Sequence, residues 1–247
     1  MFSISLLVFK RKSEIIINKN KKDFLKKNFR FIVQIRDKID RFIFGKLVNP
    51  LISELSVFID SDIDTILDLG CGSNSPLRHF KNKLSRLVGA DLFIPSLNSS
   101  RASKLHHEYF QIDVLSSIDY FEENSFDCVA LIDVIEHLKK SDGLKLIKQM
   151  ETIARKKIIV FTPNGFLEQK PFDGNEYQRH ISGWEVEEMQ QMGFKVIGIN
   201  GYKPLRGERA NIIFWPTIFW KRISYLSQLI VKNKPRYAFQ ILCVKNL

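Results

Sequence analysis

Short apolar runs, each ending at a turn or a carboxylate, recur along the middle of the chain. The first, Thr65–Leu69, is followed by the turn Gly70-Cys71-Gly72 and by Pro76, which suits the first turn of a helix. A strand, a glycine turn and a helix in this order open doubly wound α/β domains. Six later runs predict further strands of the same sheet: Leu87–Asp91, Tyr109–Val114, Ser125–Asp133, Lys157–Gly165, Phe194–Ile199 and Arg236–Lys245.

Apolar residues also recur at helical spacing between Phe29 and Phe58, with basic residues between them. Asn49-Pro50 divides this pattern into two helices, because proline disfavours the helical conformation of the residue before it. Two interpretations stay open: the helices cover one face of the sheet and cap its pocket, or they form an amphipathic segment on a membrane surface. We expect residues 1–59 to form a basic extension with amphipathic helices, and residues 60–247 to form the main domain.

A helix is predicted over residues 182–193, and a long aromatic and basic segment, residues 202–235, separates the last two predicted strands. Its apolar part contains Trp215 and Trp220, but it is short and interrupted by Pro216, so it cannot span a bilayer. We predict a helical, aromatic insert on the substrate side of the pocket. It either touches a membrane or a lipid-bearing ligand, or folds inward as a lid or a dimer contact.

The net charge of +11 lies on the two ends of the chain. Residues 1–60 carry 13 Lys and Arg against 6 Asp and Glu, and residues 201–247 carry 9 against 1. The middle, residues 61–200, carries 16 against 20 and is slightly acidic. A nucleic acid drawn through a central site would favour the opposite distribution. Basic flanks fit contact with an anionic membrane surface better.

The three cysteines, Cys71, Cys128 and Cys243, lie far apart and lack the spacing of metal ligands. They form neither a disulfide framework nor a zinc site, so we expect no metal and a reducing, cytoplasmic environment. Cys71 between its two glycines is more consistent with a small residue at a strand–helix junction than with a nucleophile.

Carboxylates follow three successive predicted strands, at Asp91, Asp113 and Asp133. The carboxyl ends of parallel strands meet at the crevice where such sheets bind ligands. Asp91 falls 21 residues after Gly70, close to the spacing at which an acidic residue meets ribose hydroxyls, and its two oxygens can accept both hydroxyl protons. Phe93 follows and can pack on an adenine face.

These motifs resemble those of the class I S-adenosylmethionine-dependent methyltransferases, in their small-molecule branch. Asp68-Leu-Gly-Cys-Gly resembles the first motif of that family, and Phe126-Asp-Cys-Val-Ala-Leu-Ile-Asp-Val-Ile-Glu-His-Leu resembles its fourth-strand motif. The resemblance covers roughly residues 60–200 and the last strand. It implies a Rossmann-like sheet of seven strands, with an antiparallel last strand beside the fifth, and S-adenosylmethionine as cofactor.

The resemblance also implies which residues bind that cofactor. The first motif would line its methionine part, the end of the second strand its ribose, and the end of the third its adenine. The expected residues at the methionine part are Asp68, Gly70 and Gly72, and the one at the ribose is Asp91. Those at the adenine are Asp113 and Val114, together with Phe93. Asp133, after the fourth strand, is the last expected cofactor-binding residue.

Methyl transfer from a sulfonium needs mainly an acceptor held in line, although an oxygen acceptor also needs a base for its proton. Related enzymes place a histidine facing the acceptor after the fifth strand, which corresponds to His180. Asp173 or Glu176 could support it. The catalytic candidates are therefore His180, His137 and Asp133.

Two other classes of protein fit less well. A nicotinamide-dependent oxidoreductase of Rossmann type usually has a third glycine, where this chain has Asn74 or Ser75. A non-catalytic, membrane-associated binding protein would have no need of the cofactor carboxylates. We therefore predict a methyltransferase that acts on a hydroxyl of a small molecule, a sugar or a lipid-linked glycan and not on nucleic acid, with peripheral contact to a membrane as an open alternative.

Overall fold

The computed structural model describes residue 31 and residues 33–171 and 174–247. The basic tract before residue 31 and Asp173, the suggested support for His180, lie outside the described residues. The chain divides into two compact units, Met1–Val48 and Asn49–Leu247. In the first unit residues 33–44 are helical (α1) and lead into a 3-10 turn, Gly45–Leu47.

The second unit is built on a mixed sheet. Its seven strands are β1 (Thr65–Leu69), β2 (Arg86–Ala90), β3 (Glu108–Phe110), β4 (Phe126–Ile132), β5 (Ala154–Pro163), β6 (Lys195–Tyr202) and β7 (Ala238–Asn246). They lie in the order β3-β2-β1-β4-β5-β7-β6. Strands β1 to β5 pair in parallel, and β7 inserts antiparallel between β5 and β6. This order confirms the doubly wound, Rossmann-like sheet with an antiparallel last strand.

Helices cover both faces of this sheet. They are α2 (Pro50–Phe58), α3 (Ile94–Ala102), α4 (Lys140–Ile153), α5 (Val186–Gln191) and α6 (Thr217–Val231). Shorter 3-10 turns lie at Pro76–His79, Lys81–Lys83, Val114–Asp119, Ile135–His137, Glu176–Gln178, Lys203–Leu205, Glu208–Ala210 and Pro235–Tyr237. None of the helices in the described part of the chain has the length and apolar character that crossing a bilayer requires.

Side chains alternate between two buried cores, one on each face of the sheet. In β1, Leu67 and Leu69 belong to the core under α4 and α5, whereas Ile66 belongs to the core under α2. This period of two follows from strand geometry. The central strands β1 and β4 are buried on both faces, so their sequences are nearly continuous apolar runs, and that made them recognisable.

Three predicted elements differ from the structure. The segment after the glycine turn forms two 3-10 turns, and it buries Leu77 and Phe80, whose spacing of three residues matches the period of that helix. The helix predicted from residue 182 begins at Val186. Just before it, the side chain of Trp184 is buried and its backbone carbonyl accepts from Gly165 N at 2.8 Å, so this part of the chain pairs with the segment after β5 and is not helical. Strand β3 ends at Phe110.

Candidate active site

The turn after β1 is held against the end of β2. The backbone N–H groups of Gly70 and Cys71 both donate to the carbonyl of Ala90, at 2.7 and 3.0 Å. Gly70 and Gly72 have φ angles of 70° and 56°, which favour glycine. A Cβ at Gly70 would lie 2.4 Å from a methyl group of Val134, whereas one at Gly72 would meet no atom within 4 Å. Gly70 is thus required by packing, and Gly72 leaves its backbone open to the crevice.

Asp91, directly after β2, fastens this turn through its side chain. One carboxylate oxygen accepts from Gly72 N at 2.8 Å and the other from Phe93 N at 2.8 Å. Burial raises the pKa of this carboxyl, and the two N–H groups oppose the rise. Each oxygen keeps a second lone pair, so Asp91 can still accept hydrogen bonds from a ligand.

Asp113, after β3, is exposed and accepts from Leu115 N at 2.9 Å, which caps the turn Val114–Asp119. Val114 is buried beside it. Both residues therefore stand at the same edge of the sheet as Asp91 and the glycine turn.

A cavity of about 380 Å³ lies at this edge, a size typical of small-molecule sites. The sequence-predicted residues on its wall are Gly70, Gly72, Asp91, Phe93, Asp113, Val114, Asp133 and His137. The structure adds wall residues that the sequence did not reveal, among them Ser96, Leu138, Asn175, Tyr177 and Gln178.

Asp68 is placed differently from its sequence expectation, because it lies beneath the turn and not on the cavity wall. Its side chain is buried and one oxygen lies 2.8 Å from Nε2 of His106, another buried residue. Ser100 Oγ lies 3.2 Å from Nδ1 of that ring. Sequence reasoning missed His106, since it precedes β3 and nothing local connects it to β1.

A second cavity of about 380 Å³ adjoins the first and shares Asp133, His137 and Gln178 with it. The remaining wall residues of this second cavity are Glu136, Pro163, Leu167, Gln169, His180, Ala210, Phe239 and Gln240. The structure therefore brings all three catalytic candidates, His180, His137 and Asp133, to one pocket beside the first cavity.

Asp133 stands where the two cavities meet. Its N–H donates to Phe161 O at 2.8 Å, and its Oδ1 accepts from Nε2 of Gln240 at 3.0 Å. The side chain is open to the cavities but surrounded by protein, and this burial raises its pKa to about 7, with the Gln240 hydrogen bond opposing. Asp133 can therefore exchange a proton near neutral pH.

Glu136 is buried three residues further on, and its Oε2 accepts from Thr162 Oγ1 at 2.9 Å. Burial and the neighbouring charge of Asp133 hold the pKa of Glu136 well above its usual range. Its backbone carbonyl accepts from Ile181 N and Ser182 N at 2.9 and 3.1 Å. The loop that carries His180 is thereby tied to the loop after β4.

The rings of His137 and His180 lie with their centres 4.8 Å apart. Nδ1 of His137 lies 3.0 Å from Arg179 O, and Nδ1 of His180 lies 2.7 Å from Leu167 O. A carbonyl only accepts, so the neutral His180 ring carries its hydrogen on Nδ1 and has a lone pair on Nε2, whereas the His137 ring also faces the backbone carbonyl of Asp133. Burial lowers the pKa of both imidazoles, so both are neutral at pH 7.

Three other residues with reactive or titratable side chains lie apart from this chemistry. Burial, with the charges of Asp68 and Asp91, raises the pKa of the Cys71 thiol, so it stays protonated. His79 is exposed on the turn Pro76–His79. Glu176 is exposed and pairs with Arg179 at 3.8 Å.

Residues 67–161 match the methyltransferase domain family. Among solved structures, a SAM-dependent methyltransferase from Archaeoglobus fulgidus is 14% identical, with a TM-score of 0.53 over 83% of this chain and 99% of that one. The methyltransferase domain of the bacterial protein CtHen1-CN is 18% identical, with a TM-score of 0.51 over 79% of this chain and 97% of that one. The comparison with curated proteins found no match.

The sheet order, the crevice and the family match agree with one another. Residues 67–161 match a methyltransferase domain, and the sheet has the fold of solved methyltransferases that depend on the cofactor S-adenosylmethionine. The first cavity fits that cofactor, because it combines open backbone at Gly72 with free acceptor capacity at Asp91.

Proposed function

We propose that this protein is an S-adenosylmethionine-dependent methyltransferase that transfers a methyl group to a hydroxyl oxygen of a small molecule, a sugar or a lipid-linked glycan. The observation that carries the proposal is the meeting of two cavities at Asp133 and His137. One has the features of a cofactor site, and the other is lined by groups that can take a proton. A hydroxyl in the second cavity would point toward the first.

In the first cavity, each part of the cofactor has a partner of suitable chemistry. The Gly72 backbone would lie against the methionine part, Asp91 would accept from the ribose hydroxyls, and Asp113 with Val114 would meet the adenine. S-adenosylmethionine supplies a methyl group on a positively charged sulfur, which is already reactive. The protein therefore contributes mainly position, which can account for much of the acceleration.

In the second cavity, the chain's own task is to take a proton. As the new C–O bond forms and the C–S bond breaks, the acceptor hydroxyl must lose its hydrogen. Nε2 of His180 has a free lone pair, and its neutral ring suits a general base at pH 7. His137 and Asp133 line the same pocket and could relay the proton outward.

Charge favours such an acceptor over a nucleic acid. Residues 61–200, which supply most of the lining of both cavities, carry 16 Lys and Arg against 20 Asp and Glu. A polyanion gains affinity by contacting basic groups, so this acidic body would repel it. An uncharged hydroxyl compound meets no such penalty.

The insert before β7 supports a lipid-linked acceptor or a membrane contact. Buried Gln228 on α6 donates to Gly198 O at 2.7 Å and accepts from Gly201 N at 3.0 Å, so one side of α6 packs on β6. The opposite side and the preceding segment expose a set of apolar residues, here called the aromatic face: Ile213, Phe214, Trp215, Ile218, Phe219, Leu226, Leu229 and Ile230. We propose that the aromatic face contacts an anionic lipid surface, where aromatic rings and nearby cations are both accommodated.

Methyl-labelled S-adenosylmethionine tests the acceptor. The protein is incubated with cell extract separated into glycan, lipid, small-molecule, protein and nucleic-acid fractions, and the Asp91→Ala protein serves as the background control. We expect label in a glycan, lipid or small-molecule fraction with the wild type and a much weaker signal with the variant. Label confined to nucleic acid or protein would overturn the proposal.

A further inference from the structure

Three metal-ligating side chains converge on the wall of the second cavity. Glu136, His137 and His180 each offer one donor atom, and these atoms lie within 4.8 Å of one another. They come from two separate loops, the turn Ile135–His137 after β4 and the loop after β5. We propose that this Glu136–His137–His180 triad binds a divalent transition-metal ion next to the acceptor hydroxyl. The presence of that hydroxyl rests on the proposed function, whereas the binding of the ion does not.

The two imidazoles are prepared as ligands by their neighbours. Each has its Nδ1 bonded to a backbone carbonyl, of Arg179 and of Leu167 respectively. In His180 this arrangement fixes the tautomer and leaves Nε2 as the ligating nitrogen. Metal-bound histidines almost always donate their other N–H to such an acceptor.

The carboxylate is prepared in the same way. Thr162 donates to Oε2 of Glu136 at 2.9 Å, which orients the group and leaves Oε1 without a hydrogen bond from Thr162. The two loops are joined by the hydrogen bonds of Ile181 N and Ser182 N to the Glu136 carbonyl. Donors from both loops are therefore held in place before any ion arrives.

Charge supplies a second, independent reason for a cation. Glu136 is 2% exposed and lies close enough to Asp133 for their charges to interact. Within the described part of the chain, neither carboxyl forms an ion pair with a lysine or an arginine. The buried carboxyl of Glu136 is costly to ionise without a counter-charge, and a divalent ion would supply that charge.

The donor set indicates the kind of ion. Two imidazoles and one carboxylate leave coordination positions open and suit first-row transition metals, whereas Mg²⁺ and Ca²⁺ prefer oxygen ligands. Bonds of about 2.1 Å require donors roughly 3–4 Å apart, so small side-chain rotations must draw the triad together. We predicted no metal from the sequence because the cysteines lack ligand spacing. The two histidines lie on different loops, so the sequence alone does not show that they converge.

A cation at this position would change the assignment of the proton chemistry. It would lower the pKa of an acceptor hydroxyl in contact with it, as metal ions do for bound water. His180 would then act as a ligand and not as the base.

Binding of Mn²⁺ to the full chain tests the triad directly. Protein stripped with a chelator and dialysed is titrated with Mn²⁺, and the free ion is followed by electron paramagnetic resonance. We expect one saturable ion for each chain, with affinity at least about tenfold weaker in Glu136→Gln and His180→Gln. The matched control is His79→Gln, which removes an exposed imidazole elsewhere, and calorimetry with S-adenosylmethionine verifies that every variant is folded. No saturable binding by the wild type, or equal binding by all four proteins, would overturn the proposal.

A second measurement separates this proposal from the proposed function. Methyl transfer into the fractionated extract is compared with and without prior chelation. Loss of hydroxyl methylation on chelation, restored by Mn²⁺, supports both. Mn²⁺ binding without any labelled hydroxyl compound would refute the acceptor assignment and leave the metal site standing. Undiminished hydroxyl methylation by a protein that binds no Mn²⁺ would refute the metal site alone.

Discussion

At the scale of the residue, three aspartates that end neighbouring strands differ in chemistry because their surroundings differ. Asp91 receives two backbone N–H groups, which favour its charged form against the effect of burial. Asp113 is exposed. Asp133 receives one amide N–H, and burial raises its pKa to about 7. The first two are suited to hold a ligand as carboxylates, and the third is suited to exchange a proton.

Substitutions of Asp91 and of His180 should therefore change different quantities, cofactor affinity in the first case and the rate of methyl transfer in the second. We predict that Asp91→Ala weakens S-adenosylmethionine binding by about 1.5–3 kcal/mol, the usual loss for hydrogen bonds to a charged group. We predict that His180→Gln leaves that affinity unchanged and lowers the rate of methyl transfer at least about tenfold, whether His180 is a base or a ligand. Calorimetry and initial rates measure the two effects, with His79→Gln as the control. A His180→Gln protein as fast as the wild type would make His180 a structural residue.

At the scale of the element, the start of β4 is fastened at the edge of the sheet opposite the cavities. Asp127 accepts from Asp64 N and Thr65 N at 2.9 and 3.0 Å, and it lies 2.9 Å from both Arg155 Nε and Lys156 Nζ. Burial alone would raise the pKa of this carboxyl, but the two cations and the N–H groups outweigh it and hold the pKa well below its usual range. One side chain thus joins β1, β4 and β5.

We predict that Asp127→Asn lowers the free energy of unfolding at pH 7 by about 1.5–3 kcal/mol, measured by chemical denaturation. Because the folded protein depresses this pKa, the stabilisation is complete above the unfolded value of about 3.9 and declines as the pH falls below it. The difference between wild type and variant should therefore be smaller at pH 3 than at pH 7. Glu122→Gln, at an exposed carboxyl, is the control. An equal difference at both pH values would contradict the stabilising role of the charged Asp127 side chain.

The helices and strands were predictable where the sequence pattern that identifies them lies within a few neighbouring residues. Apolar runs that end in a carboxylate identify β2, β3 and β4, and the glycine turn identifies the end of β1 and the first crevice residues. The site depends on contacts between distant segments, such as His106 beneath Asp68 and the Glu136 carbonyl bound to Ile181 N. No periodicity encodes these pairs. The family resemblance supplied His180, whereas the convergence of Glu136 with both histidines became visible only in three dimensions.

At the scale of the whole molecule, an excess of basic charge and an exposed apolar surface lie in the same segment of the chain. The final segment, residues 201–247, carries 9 Lys and Arg against 1 Asp or Glu, and it also contains the aromatic face. Trp215 is 87% exposed, which is costly for a ring of that size in water. A lipid surface with anionic headgroups would bury the rings and attract the cations, each contributing about 1 kcal/mol near the surface.

We predict that the protein sediments with vesicles of phosphatidylserine and phosphatidylcholine at low salt, and much less with phosphatidylcholine alone or at high salt, because screening weakens the attraction. Replacing Trp215 and Phe219 together by serine should lower vesicle binding at least about tenfold, since each buried ring contributes roughly 1.5–3 kcal/mol. Tyr120→Ser is the matched control, as Tyr120 is an exposed aromatic residue outside the aromatic face.

If the aromatic face is instead a lid or a dimer contact, the protein stays in the supernatant with both vesicle types. In that case the double variant would change acceptor turnover, or its mass in solution would fall relative to the wild type, and the membrane contact would be refuted.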